Sequence, residues 1–86
     1  MPKTVIYTTS SCGYCVRAKS LLEKKQIHFE EVDVTYDLEK RHSMMEKSGG
    51  RMTVPQIFID EIHVGGYDDL YKLERSGQLD QLFNVA

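Results

Sequence analysis

Tryptophan is absent from the chain, cysteine and proline occur twice each, and neither sign of charge prevails. Two cysteines are too few for the disulfide framework that staples small secreted domains, which takes four or more. Eleven Lys and Arg against thirteen Asp and Glu leave a net charge of −2. The chain therefore lacks the clustered positive charge that draws proteins to nucleic acid or to an anionic membrane surface. Apolar stretches such as Thr4-Val5-Ile6 fall far short of the roughly 20 residues that a spanning helix requires. Met1-Pro2-Lys3-Thr4 leads into a strand-like segment with no signal-peptide apolar region, so the cytoplasm is the expected location. No internal repeat, low-complexity tract or Pro/Gly/Ser linker divides the chain.

What is present fits one small globular domain, residues 1–86, with 41% hydrophobic and 28% charged residues. A chain this short buries only about 60–65% of its unfolded surface, so its stability is expected to be modest. Thr4–Thr8 is short, β-branched and aromatic and reads as a buried strand. From Tyr14 to about Lys25, Cys15, Ala18, Leu21 and Leu22 recur at spacings of three and four, the pattern of an amphipathic helix. Phe29–Val34 reads as a second strand. Asp37 is a candidate cap for a second helix with Leu38, His42 and Met45 on one stripe, ending at Gly49-Gly50. Gln56–Asp60 is a third strand, and Asp60-Glu61 separates it from Ile62-His63-Val64 as in a hairpin, although the turn lacks its preferred glycine. A helix beginning at Asp68 or Asp69 carries Leu70 and Leu73; Gly77 interrupts it, and a last short piece carries Leu79, Leu82 and Phe83. The order is β-α-β-α-β-β-α plus a short C-terminal helix. The class is α/β, with a four-stranded mixed sheet flanked by helices, its first two strands parallel and its last two a hairpin.

Cys12-Gly13-Tyr14-Cys15 sits where the first strand gives way to the first helix. A sulfur at a helix N-terminus faces unpaired backbone N–H groups and the positive end of the helix dipole, and both favour a thiolate. Cys12 is thus expected to have a lowered pKa and to act as nucleophile. Cys15, one turn further along, is expected to be more buried and to act as the resolving thiol. Redox catalysis is favoured over a structural pair or half a metal site by this strand-to-helix setting. Zinc needs four ligands, and His28, His42 and His63 offer no paired spacing to complete a site, so no histidine is assigned a role.

Elsewhere the residues alone leave alternatives open. Thr53-Val54-Pro55 precedes the third strand, and a trans proline is the ordinary expectation, since only about 5–6% of X-Pro bonds are cis. Gly65-Gly66-Tyr67-Asp68-Asp69 reads either as a plain glycine-rich turn with an Asp cap or as a helix N-terminus that takes a carboxylate. Tyr7, Met45 and Phe58 are expected in the core, and Tyr14, inside the cysteine loop, in contact with substrate.

Cys12-Gly13-Tyr14-Cys15, Thr53-Val54-Pro55-Gln56-Ile57-Phe58-Ile59 and Gly65-Gly66-Tyr67-Asp68-Asp69-Leu70 stand in the order and spacing of a glutaredoxin. Over essentially its whole length, from Thr4 to Leu82, the chain resembles a small bacterial-type dithiol glutaredoxin. That resemblance implies the thioredoxin fold and a glutathione-dependent disulfide oxidoreductase serving electron transport and cell redox homeostasis. It implies a cis Val54–Pro55 bond beside the cysteines, with the Val54 backbone pairing with the cysteinyl part of glutathione like an added strand. The implied glutathione-binding residues are Tyr14, Thr53, Val54, Pro55, Gly66, Tyr67, Asp68 and Asp69. The N–H groups of Tyr67 and Asp68 would take the γ-glutamyl carboxylate, and an Asp its ammonium group.

The chain departs from the family pattern twice. Gly13 stands where the family usually has Pro, which leaves the loop freer and, in the family, goes with iron–sulfur binding. Thr9 stands where a Lys is common, so a weaker glutathione site or a relocated contact is expected, with Arg41 or Arg51 to supply the charge. The implied partners are glutathione and disulfide-bearing or glutathionylated proteins, and the expected state is a monomer. The alternative is a homodimeric carrier or sensor in which Cys12 of each chain and two glutathiones ligate a [2Fe–2S] cluster. A thioredoxin-like protein reduced by a flavoenzyme is disfavoured by the glutathione-site motifs and the missing tryptophan.

Overall fold

Strand propensity and alternation place Thr4–Thr8 at the inside of a sheet, where both of its faces are covered. The structure is a computed structural model, and residues 2–83 are described. Its elements are β1 (Thr4–Thr8), α1 (Gly13–Lys24), β2 (Glu30–Asp33), α2 (Leu38–Lys47), β3 (Gln56–Ile59), β4 (Ile62–Gly65), α3 (Tyr67–Ser76) and α4 (Gln78–Phe83). The sheet order is β2-β1-β3-β4, with β1 parallel to β2 and antiparallel to β3, and β3 antiparallel to β4. The expected mixed sheet and element order are those observed.

Side chains alternate across the strands and so divide into two cores. Ile6, Ile57 and Ile59 pack with Ala18 and Leu22 of α1, Leu70 of α3 and Leu79 of α4. On the opposite face, Tyr7 and Phe58 pack with Val34 and with Met44 of α2. The Tyr7 and Phe58 rings meet edge to face, centroids 5.7 Å apart, an arrangement suited to the ring quadrupoles.

Two expectations need correction. Met45 is only half-buried, Leu38 is exposed, and the core residue of α2 is Met44. With so few apolar residues on α2, two stripes satisfied the helical period, and the buried one runs Arg41-Met44-Ser48. Helix α3 begins at Tyr67, not at an Asp, because Gly66 takes the cap position without a side-chain bond. The hairpin forms as expected, and Asp60 takes the part of the missing glycine in its turn by adopting a left-handed φ of 55°. That conformation is held because the Asp60 N–H donates to the Lys3 carbonyl (2.7 Å) and its Oδ1 accepts the Lys3 N–H (3.0 Å).

Asp37 does cap α2, accepting the Lys40 N–H at 3.0 Å. At the far end of α1, Lys25 lies 2.9 Å from Glu74 and 2.6 Å from Asp80, which ties α1 to α3 and α4. Because β3 runs against β1, the start of β3 lies beside the end of β1, with Tyr7 opposite Gln56. The loop after β1 and the loop before β3 therefore emerge together at one edge of the sheet.

Candidate active site

The loop after β1 ends at Cys12, which is itself the N-cap of α1 in extended conformation. Its Sγ takes the place of a capping oxygen, accepting the Cys15 N–H at 3.1 Å. A negative sulfur there gains that N–H and the positive end of the helix dipole. On its other side Sγ lies 3.7 Å from the Val54 carbonyl, to which the thiol donates. Cys12 is partly accessible, both thiols are free, and Cys15 is buried at 1% exposure. Burial first, and then hydrogen bonding with Cys12, push the Cys15 thiol up to about 12, although the Thr9 backbone and the Lys19 charge pull the other way. The two sulfurs are thus unequal: one is partly accessible at a helix end, and the other is enclosed and holds its proton more tightly.

The loop before β3 carries Thr53 and Val54 and then Pro55 through a cis bond. A groove of about 430 Å³ runs from this loop and Tyr14 to the start of α3, where Gly66, Tyr67, Asp68 and Asp69 line it. All eight residues named on the resemblance as a glutathione site thus border one cavity, with Cys12 against its Val54 wall. Tyr14 is 56% exposed, not core, and its ring lies 6.2 Å from that of Tyr67.

The α3 end is built by Asp69, which accepts the Gly66 N–H at 3.0 Å. The Gly65 backbone, at a φ of +117°, passes so close that a Cβ there would lie 2.8 Å from the Asp69 Cγ. The N–H groups at the first turn of a helix have no intrahelical partner, and Tyr67 and Asp68, in the first turn of α3, both line the groove. Asp68 is exposed and makes no ion pair among the described residues, whereas Asp69 also faces Arg51 at 3.4 Å.

Of the two arginines considered as substitutes for a lysine at Thr9, Arg51 lines the groove and Arg41, on α2, does not. Lys72 of α3 lines it too and was missed by sequence reasoning; its place one turn after Asp68, on the same helix face, was the available signal. His63, assigned no role from the sequence, does not line the groove; its Nε2 lies 2.7 Å from the Gln56 side-chain oxygen. Burial, and then the Arg51 charge, lower its pKa, while Asp69 opposes them.

The sequence and the fold that hold these two thiols are similar to those of known proteins. The family model described as Glutaredoxin matches residues 4–64. The chain belongs to the glutaredoxin family. It is 53% identical over 82 residues to Glutaredoxin 1 of Rickettsia typhi, covering 94% of this chain and 79% of that one. The solution structure of glutaredoxin from Brucella melitensis is similar to it with a TM-score of 0.83 and 52% identity, over 95% of this chain and 88% of that one. A crystal structure of a buckwheat glutaredoxin–glutathione complex is similar with a TM-score of 0.84 and 25% identity, over 94% and 76%. The fold is the thioredoxin fold of these proteins, and the chain is a glutathione-dependent thiol–disulfide oxidoreductase.

Proposed function

We propose that the protein reduces protein–glutathione mixed disulfides and protein disulfides in the cytoplasm, with the groove beside Cys12 holding the glutathionyl part. The observation that carries this reading is the position of the Cys12 sulfur, against Val54 at the wall of a groove whose far end is an open helix N-terminus. Glutathione has two carboxylates and one ammonium group. The groove offers the Tyr67 and Asp68 N–H groups, the cations Arg51 and Lys72, and the free carboxylate of Asp68. That set matches those charges, and Arg51 and Lys72 supply what the family's lysine would have supplied at Thr9. The cysteinyl backbone of glutathione pairs with Val54, as in strand addition.

The Cys12 thiolate attacks the glutathionyl sulfur of a mixed disulfide, and the protein thiolate leaves. A glutathione thiolate then attacks the glutathione sulfur bound to Cys12, releasing glutathione disulfide and restoring Cys12. With a protein disulfide, Cys12 attacks one sulfur and displaces the other as a thiolate. Cys15, after losing its proton, attacks the Cys12 sulfur, and the second substrate thiolate leaves. The Cys12–Cys15 disulfide that results takes two electrons from two glutathiones.

The iron–sulfur reading has less support. In that reading Cys12 of each chain and two glutathiones would hold the cluster, and one accessible thiol per chain fits it; the buried Cys15 is left without a part there, whereas the oxidoreductase uses both thiols.

The test is turnover of a small glutathionyl mixed disulfide by the Cys15→Ser variant, with excess glutathione and a coupled reductase. Turnover close to that of the unaltered protein is expected, and none after Cys12→Ser. Negligible turnover by a folded Cys15→Ser protein with Cys12 reduced would overturn the proposal.

A further inference from the structure

Gln56 is a fully buried polar side chain, the first residue of β3, on the same sheet face as Phe58. Its Nε2 donates to the Thr53 carbonyl at 3.0 Å and lies 3.2 Å from the Thr53 hydroxyl. A carbonyl only accepts, so the amide nitrogen must face Thr53 and the amide oxygen must face away. That oxygen meets Nε2 of His63 at 2.7 Å. His63 therefore carries its hydrogen on Nε2 and donates. Its ring is fixed in turn on the cross-strand neighbour Phe58, with centroids 4.9 Å apart. His63 stands opposite Phe58 and is therefore diagonal to Gln56, two residues earlier on the same face of β3 and within reach of it.

We propose that His63 is a positioning residue: by fixing the Gln56 carboxamide in one orientation, it holds the Thr53–Val54 backbone in place for the cysteinyl part of the substrate. Pro55 has no N–H to brace this loop, and the Gln56 side chain supplies the donor instead. Thr53 directly precedes Val54, whose carbonyl faces the Cys12 sulfur. A hydrogen-bond chain thus runs from β4 through β3 to the reacting sulfur. Without the imidazole donor, the Gln56 oxygen is buried with no partner and the amide is no longer held in one orientation.

This inference rests on the proposed glutathione groove, and the experiment separates the two. His63→Leu keeps an apolar side chain on Phe58 and removes the donor; His63→Gln places an amide N–H where Nε2–H stands. His63→Leu is expected to raise KM for the glutathionyl mixed disulfide roughly fivefold, with kcat changed less than about twofold. His63→Gln is expected to restore KM. In NMR spectra of the reduced proteins, the Thr53 and Val54 amide signals should shift in His63→Leu and return in His63→Gln. An unchanged KM with unmoved amide signals would overturn the proposal, as would a His63→Gln protein that behaves like His63→Leu. A lower melting temperature in His63→Leu with KM unchanged would reduce His63 to strand packing and equally overturn it. Should the unaltered protein not turn over the substrate, the proposed function falls, and the amide signals still decide the role of His63.

Discussion

The backbone N–H of Cys15 points at the sulfur of Cys12 from 3.1 Å. The residue that resolves the mixed disulfide thus first stabilises, with its amide, the sulfur it will later attack. The interaction is strongest while Cys12 is a thiolate and weakens once that sulfur enters a disulfide and loses its charge. The same short helical turn that favours the first attack therefore loosens its hold on Cys12 when the second attack is due.

The inequality of the thiols has a consequence for stability against pH. In the unfolded chain the Cys15 thiol ionises near its ordinary value of 9.0, whereas in the fold it is pushed up to about 12. The folded state thus binds the proton more tightly, and the stability this brings is complete below pH 9 and lost as pH rises toward 12. With the thiols kept reduced, the unfolding free energy in urea should fall across that window more steeply than in Cys15→Ala, by up to about 1.4 kcal/mol per pH unit. Parallel curves for the two proteins would contradict the burial argument.

Gly65 is fixed by its neighbour. A side chain there would combine a φ of +117° with a collision against the Asp69 carboxylate. Gly65→Ala should lose about 1–3 kcal/mol of stability in a denaturant titration. Asp69 would also be driven off the Gly66 N–H, so KM for a glutathionyl substrate should rise even in the fraction that folds. A variant with unaltered melting and KM would show that the contact is easily relieved.

Gly13 presents the opposite case. A Cβ built there meets nothing within 4 Å. Gly13 is the first residue of α1, and Cys12 before it is extended at φ −120° and ψ 109°, the conformation that precedes proline without strain. Gly13→Pro should therefore fold normally and gain about 0.5–1 kcal/mol from a stiffer unfolded chain, read as a higher urea midpoint. A lower midpoint would mean that the loop needs the freedom glycine provides.

How far the fold is legible in the sequence depends on how local each signal is. β1, α1 and the hairpin announce themselves in contiguous residues, and so does the reactive strand-to-helix junction. Helix α2 does not, because Leu38, Met44 and Met45 are too few to single out one stripe, and packing against Tyr7 and Phe58 chooses Met44. The start of α3 is hidden because a glycine cap leaves no side-chain signature. Arg51 reaches the groove through a tertiary contact with Asp69 that no short spacing encodes, and the contact of His63 with Gln56 depends on the β3–β4 register, in which His63 stands opposite Phe58.

Gly49 and Gly50 stand exposed at positive φ in the connection between α2 and β3, with open space around both. A cut between them leaves Cys12 and Cys15 on one fragment and Thr53–Pro55 with the α3 end of the groove on the other. The seam between the fragments includes the β1–β3 ladder, where Ile6 stands opposite Ile57. Thiol exchange with glutathione would then measure fragment complementation, because neither piece alone holds both the nucleophile and the wall against which its substrate lies.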